Sequence, residues 1–191
     1  MRQQNPDFVF LANNAAVDFI NTEIVSHGEL VDLLQDDNDF IRWADAAGFD
    51  LTSKLSADDL SAAKQLRSAL KDLIQARMER RNAGRGSLAT VNRHLGNHAP
   101  HEILQINASS SDFELVPDKT ATSATALLAR LAYEGAMLLA SPQASQLKHC
   151  SNPECVLVFL DTSRNQQRRW CSMDTCGNRA KAAKHYRKQT R

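Results

Sequence analysis

The chain has 191 residues, of which 42% are hydrophobic and 24% are charged. This composition matches an average soluble protein and excludes a largely disordered chain. The length fits one main domain with a small appendage, because domains usually span about 100–200 residues. The most apolar stretch, residues 121–140, contains Arg130 and Glu134, so it predicts a buried helix and not a membrane span.

Charge is distributed unevenly along the chain, although the formal net charge is only +1. Residues 148–191 carry ten Lys/Arg against three Asp/Glu, which gives +7 and leaves −6 for residues 1–147. A basic segment has the sign that phosphate backbones attract. The alternative is a basic surface that serves solubility or docks on the acidic remainder of the chain.

The beginning of the sequence is polar and lacks the apolar region of a secretory signal. We therefore expect a cytoplasmic protein. In a reducing compartment, four cysteines within residues 150–176 indicate a metal site and not disulfides.

Hydrophobic spacing predicts the first elements. Residues 8–11 read as a short edge strand, and Asn13 or Asn14 as the cap of a helix that runs to about Val25. A second helix should begin near residues 37–39 and end at Gly48.

The rest of the N-terminal region predicts three more helices and one hairpin. The longest helix opens at Ser56 and runs to about Arg81, and a shorter one follows Ser87. Strands at 101–107 and 113–117 form the hairpin, and a helix over 124–140 stops before Pro142. The predicted fold class is α+β, mostly α: residues 1–145 form a helical domain with a small β-hairpin, and 146–191 form a treble-clef-like zinc finger.

The cysteines occur as two close pairs, Cys150-x4-Cys155 and Cys171-x4-Cys176, separated by fifteen residues. Four thiolates without an open position predict one structural Zn²⁺ ion. Residues 156–160 and 168–170 read as the two strands of a hairpin, and 179–188 as a helix. His149 and His185 are the alternative ligands, and an iron–sulfur cluster is the alternative cofactor.

The run Asp161–Lys181 resembles the CGNR zinc-finger family, whose name matches Cys176-Gly-Asn-Arg. The preceding region is similar to the ABATE domain at residues 8–11, Asn21-Thr22, Trp43 and 66–70. Proteins of this kind are described as stress-induced transcriptional regulators, so the resemblance implies a DNA-binding finger and an N-terminal domain that senses a small-molecule effector.

Cations of the C-terminal region are the candidate nucleic-acid contacts, and three lysines at i, i+3 and i+7 share one face of the last helix. The candidates are Arg164, Arg168, Arg169, Arg179, Lys181, Lys184, Arg187 and Lys188. We expect DNA as the partner, and the alternative is an adaptor that binds protein or RNA. Trp170, next to the metal-ligating Cys171, could either pack inside the finger or stack on a nucleic-acid base.

Asn21 and Arg67 are polar residues on otherwise apolar helix faces. Each needs a partner, which could be the other residue, a backbone carbonyl or a ligand, so both are candidates for a ligand pocket. The pair His94 and His98 is a weaker candidate for a second metal. No nucleotide-binding or nucleophile motif occurs, so we expect no enzyme. The oligomeric state stays open, with a homodimer as one option, and we expect a chain ending near Ala144 to fold without metal.

Overall fold

The computed structural model describes residues 8–97, 102–107, 109–110, 112–117 and 123–189. The N-terminal region, here called the body, begins with a short helix and a hairpin and continues with three helices. These elements are α1 (Ala15–Ile20), β1 (Glu23–Ser26), β2 (Glu29–Asp32), α2 (Asp37–Ala46), α3 (Asp59–Glu79) and α4 (Arg85–Leu95).

A second hairpin and a long helix complete the body, and the C-terminal region, here called the finger, follows. The remaining elements are β3 (Glu102–Ile106), β4 (Phe113–Pro117), α5 (Ala124–Ala140), β5 (Leu147–His149), β6 (Val158–Leu160) and α6 (Asn178–Gln189). A 3₁₀ turn over Pro142–Gln146 joins α5 to β5. Each pair β1–β2, β3–β4 and β5–β6 is an antiparallel two-stranded sheet.

The body core forms where α3 packs against α1, α4 and α5. Its aromatic centre is Trp43, which is fully buried and lies 4.9 Å from Phe19, ring centroid to centroid. Gly135 of α5 sits against Leu70 of α3, and a Cβ atom at Gly135 would lie only 2.5 Å from the Leu70 side chain. The glycine therefore allows these two central helices to approach closely.

Sequence periodicity predicted several of these elements correctly. Helix α2 ends at Ala46, and Gly48 just beyond it has a φ of +81°, the left-handed conformation expected of a residue that terminates a helix. The strands of the β3–β4 hairpin and the bounds of α5 also agree with the prediction. In these segments the local pattern and the tertiary environment favour the same conformation.

Two predictions near the N-terminus are wrong. Residues 8–11 do not form a strand, and α1 ends at Ile20 instead of Val25. The Thr22 hydroxyl donates to the carbonyl of Phe19 at 2.7 Å and closes the helix. The β-branched Ile24 and Val25 then pair with β2 across a turn in which Gly28 has a φ of +86°.

The body and the finger share one apolar core. Leu147, Val158 and Leu160 of β5 and β6 are buried in the same cluster as the body helices. A second, smaller cluster surrounds the cysteines, and Val9 and Ile24 of the body pack against it. Apolar side chains of both regions therefore meet at the contact between them.

Within the described residues, no helix is both long enough and apolar enough to cross a bilayer. This agrees with the prediction that α5 is a buried helix, eight of whose residues lie in the interior.

Candidate metal centre

The first cysteine pair lies at the tip of the β5–β6 hairpin. Cys150 directly follows β5, and its N–H donates to the carbonyl of Leu157 at 3.0 Å. The Cys155 N–H donates to the carbonyl of Asn152 at 2.9 Å, which closes a tight turn between the two ligands. The hairpin thereby brings both thiols to one side of the loop.

The pairing of this hairpin differs from the prediction. Strand β6 pairs with residues 147–149, and residues 168–170 form no strand. Their backbone lies instead beside the turn between Cys150 and Cys155, where the carbonyl of Arg169 accepts from the Ser151 N–H at 2.8 Å. Charge and hydropathy could not distinguish these two partners, because residues 147–149 also form a short run that ends at a cysteine.

The second pair spans a tight turn that leads into α6. Cys171 precedes the turn, and Cys176 lies within residues 173–177, one residue from Gly177. A Cβ atom at Gly177 would meet the Met173 sulfur at 2.9 Å, so a larger residue beside this ligand would require the Met173 side chain to move. The fourth ligand therefore sits at the start of a helix, as the sequence predicted.

The four sulfur atoms form a compact cluster, all within 4.8 Å of one another. The Sγ of Cys171 lies 3.8 Å from that of Cys155 and 3.6 Å from that of Cys176. A tetrahedral ion with Zn–S bonds of about 2.3 Å places its sulfurs about 3.8 Å apart, so the geometry fits Zn²⁺. Among the described residues, these cysteines are the one cluster of three or more His, Cys, Asp or Glu suited to a metal.

The protonation of the free thiols also indicates a cation. A hydrogen bond from Cys171 lowers the pKa of Cys155 to about 5, and the same contact together with burial raises the pKa of Cys171. Four neighbouring thiols therefore cannot all ionise on their own. A divalent ion stabilises all four thiolates together, so the cluster is a structural zinc site.

Weaker hydrogen bonds orient the ligands. The Asn152 side-chain amide donates to the Sγ of Cys176 at 3.4 Å, and the Cys171 N–H donates to the Sγ of Cys150 at 3.5 Å. Each links one cysteine pair to the other. Such outer contacts fix the ligand geometry before the ion binds.

Asp161 organises the loop between the two pairs, and sequence reasoning missed it. Its fully buried carboxylate accepts from the Lys148 ammonium at 2.6 Å and from the N–H groups of Ser163 and Arg168. Burial alone would raise its pKa, but these hydrogen bonds hold the pKa well below its usual range. An aspartate followed by a Thr-Ser turn was the available signal.

The structure separates the predicted nucleic-acid residues into two groups. Arg168 is used internally: its guanidinium bonds to the carbonyls of Trp170 and Cys171 and lies 4.4 Å from the centroid of the Phe159 ring. The exposed cations are Arg164, Arg169, Arg179 and Lys181. The remaining three lie on α6, and their side chains are outside the described residues: Lys184, Arg187 and Lys188.

The buried side chains of Asn21 and Arg67 both form hydrogen bonds within the protein. The Asn21 side chain accepts from the Val158 N–H at 3.0 Å and donates to the Val158 carbonyl at 2.8 Å. Arg67 donates to both carboxylate oxygens of Asp32, at 2.6 and 2.7 Å, and to the Thr22 hydroxyl. Among the described residues, the buried Nε–H of Arg67 has no hydrogen-bond partner. The role of Asn21 and Arg67 in a ligand pocket stays a prediction.

The histidines take no part in the cysteine cluster. His149 is exposed at the end of β5, and the side chain of His185 lies outside the described residues. His94 of α4 is buried. Its burial and the positive charge of nearby Arg93 both lower its pKa. His98 and His101, which the sequence placed near it, lie outside the described residues.

Comparison with known families assigns both regions. The CGNR zinc finger matches residues 146–189, and the ABATE family, described as "Putative stress-induced transcription regulator", matches residues 13–142. No curated protein matches the chain. The ABATE match covers most of the sequence and the CGNR match contains the four-cysteine site, so the chain belongs to the ABATE family and carries a CGNR zinc finger.

Proposed function

We propose that the protein is a transcription regulator whose zinc finger binds duplex DNA through its phosphates. The family assignment supports a regulator. The DNA contact is our proposal, and it depends on how the cations of the finger are arranged. The zinc ion is structural in this role, because all four of its positions are taken by cysteines.

The observation that carries this proposal is a difference in ion pairing. In the body, six cations form ion pairs with carboxylates, as Lys64 and Arg67 do with Asp32. Five further described cations of the body form none: Lys54, Arg77, Arg80, Arg85 and Arg93. In the described part of the finger, the exposed cations have no carboxylate within ion-pair distance: Arg164, Arg169, Arg179 and Lys181. Unpaired cations on one small module form the surface that a phosphate backbone neutralises.

The body is proposed to sense an effector. It contains an open groove of about 840 Å³ between α3 and α4, lined by Leu60, Lys64, Gln65 and Ser87 among others. A groove with apolar and hydrogen-bonding groups side by side suits a small polar molecule. Neither Asn21 nor Arg67 lines this groove, so it is a candidate site separate from these two residues.

We also propose a binding role without catalysis, in the cytoplasm. Buried charged groups of the body are engaged in structural contacts, as when the Asp18 carboxylate accepts from the N–H groups of Leu11 and Ala12. Carboxylates that accept backbone hydrogen bonds in this way stabilise the fold of the body. A homodimer would suit a regulator that reads a symmetric DNA site.

Titration of the zinc-loaded protein into labelled genomic duplexes at several salt concentrations tests the DNA contact. If four cations reach phosphates, log K should fall with log salt at a slope of about −3.6. A chelator should abolish binding, because the cations are positioned by the folded finger.

Two results would contradict this proposal. Absence of binding at low salt would remove the DNA contact altogether. Binding of a protein partner with a flat salt dependence would favour the adaptor function, and preference for RNA over the matched duplex would favour the RNA alternative.

A further inference from the structure

A groove lies on the finger next to the cysteine site. It has a volume of about 530 Å³ and is here called the finger groove. Its lining is Lys148, His149, Ser151, Gln167, Arg168 and Arg169. The lining has three permanent cations and no carboxylate, so its potential is positive.

The three cations of the finger groove have different tasks. Lys148 is bound to the Asp161 carboxylate and to the Gln166 carbonyl. Arg168 is bound to the carbonyls of Trp170 and Cys171. Arg169 is exposed and, within the described residues, has no carboxylate partner, so its guanidinium is the one of the three that can bind an anion.

Trp170 holds the Arg169 guanidinium in place. The guanidinium carbon lies 5.2 Å from the centroid of the indole ring. On another side the indole approaches Gly177, which has no side chain to push it away. A guanidinium that contacts an aromatic ring keeps its N–H edge free for two parallel hydrogen bonds to a phosphate. Because the ring already restricts the arginine side chain, the side chain loses little further entropy when a phosphate binds.

We infer that the finger groove seats one phosphate of a nucleic-acid backbone, with Arg169 as its main contact and Gln167 beside it. This inference rests on the proposed DNA-binding function. It gives that function a specific anchor among the cations of the finger. Two of the eight candidates in the sequence, Arg168 and Arg169, line the groove, and Arg169 is the one of these two whose guanidinium is exposed.

Matched pairs of variants test the finger groove in the full-length, zinc-loaded protein. Gln167→Glu and Asn165→Asp each convert an exposed amide to a carboxylate of nearly equal shape, and only Gln167 lines the groove. If a phosphate sits there, Gln167→Glu should weaken duplex binding by about tenfold and Asn165→Asp by about twofold or less.

The second pair removes one cation each. Arg169→Ala should weaken binding about tenfold and reduce the salt slope by about 0.9, while Arg164→Ala, outside the groove, should have a smaller effect. Arg169→Lys should fall between wild type and Arg169→Ala, because the ammonium lacks the planar fork. Zinc content should be unchanged in all variants.

Quenching of tryptophan fluorescence by iodide reports on the indole that contacts Arg169, the exposed cation of the groove. Trp43 is fully buried, so quenching measures the half-buried Trp170. Duplex should protect Trp170 in wild type and not in Gln167→Glu. Inorganic phosphate serves as the probe for a small free anion, and equal protection by it would overturn the inference.

The outcomes separate this inference from the function on which it rests. If wild type binds no duplex, the proposed function fails and the groove proposal fails with it. If wild type binds with a steep salt slope but the two variants of each pair behave alike, the function stands and the groove proposal is overturned.

Discussion

The body and the finger reach stability by different means. The body buries a large apolar core around Trp43 and pairs its charges across elements, as Arg67 does with Asp32. The finger has a cluster of only five buried residues, three of which are cysteines: Cys150, Leu157, Phe159, Cys171 and Cys176. A module this small needs a metal to replace the missing core, and its surface cations stay available for a partner.

The two regions are nevertheless joined tightly. The backbone groups of Leu157 and Asp161, which flank β6, form hydrogen bonds to the strand β5 side of the hairpin. Backbone groups of successive residues in a strand point in opposite directions, so the N–H and carbonyl of Val158 point away from β5. The Asn21 side chain satisfies both groups, as a neighbouring strand would. An apolar core in the body and a metal site in the finger therefore stabilise two regions that are packed together. Loss of either one should affect the stability of the other region.

Removal of zinc should have the largest effect. Zinc binding in comparable small sites contributes on the order of 10 kcal/mol, which is similar to the whole stability of a domain. Metal analysis should give one equivalent per chain, and Cys176→Ser should lose most of it. Because Leu147, Val158 and Leu160 lie in the body core, the chelated protein should also unfold at a lower temperature in its body helices.

His149→Ala is the control for the zinc experiment, since His149 is exposed and outside the cysteine cluster. Circular dichroism at 222 nm follows the body, because α3 and α5 are its longest helices. Full zinc occupancy in Cys176→Ser would contradict the four-cysteine site.

Truncation after Ala144 should have the next largest effect. From the sequence we expected this fragment to fold without metal. The structure supports the opposite expectation, because the fragment loses three core side chains worth about 1.5–3 kcal/mol each, roughly 5–9 kcal/mol in total. Urea unfolding of the fragment should show a transition at much lower denaturant or none. A cooperative transition at the midpoint of the full chain would restore the prediction of independent folding.

Asn21→Ala should destabilise the protein by about 2–4 kcal/mol, because it leaves two buried backbone groups of Val158 without partners. Asn14→Ala is the matched control at the other end of the same helix. Asn14 caps α1 by accepting from the Val17 N–H at 3.1 Å. Removal of this cap should destabilise the protein by about 1 kcal/mol.

The two asparagine variants should differ most in zinc retention. Asn21→Ala should release zinc to a chelator faster than wild type, while Asn14→Ala should release it at the wild-type rate, because only Asn21 contacts the finger. Equal release from both variants would mean that the Asn21 contact does not stabilise the metal site.

The smallest effect concerns pH and lies wholly in the body. Burial alone would raise the pKa of Asp32, but hydrogen bonds from Arg67, Leu34 and Lys64 lower it to about 2. A lowered pKa means that the stabilisation from Asp32 is complete above about pH 4 and is lost as the pH falls towards 2.

Asp32→Asn should therefore be less stable than wild type by a constant amount between pH 8 and pH 5. Urea unfolding at several pH values measures this difference. It should narrow only below about pH 4, and a difference that changes steadily between pH 8 and pH 5 would contradict the low pKa of Asp32.

The helices of the body and the zinc ligands could be predicted from the sequence for a local reason. Helix α5 and the turn at Gly48 follow from periodicity and a required positive φ, which neighbouring residues alone impose. The cysteine spacing predicted the zinc site because four thiolates have few other uses in a reducing environment. Arg169, in contrast, could not be told apart from Arg168, since the two adjacent arginines have the same local pattern.

Several features depended on tertiary structure alone. The pairing of β6 with β5, the Asn21 contact and the ion pairs of Arg67 join residues that are 9 to 137 positions apart, and no local signal encodes such distances. Burial of Asn21 was predictable from its place on an apolar face, but its partner was not. The sequence by itself determined the helices, the family and the metal ligands, because these depend on composition and short spacing. Only packing decided that the finger is part of the body core, because a shared core forms only when distant apolar side chains meet.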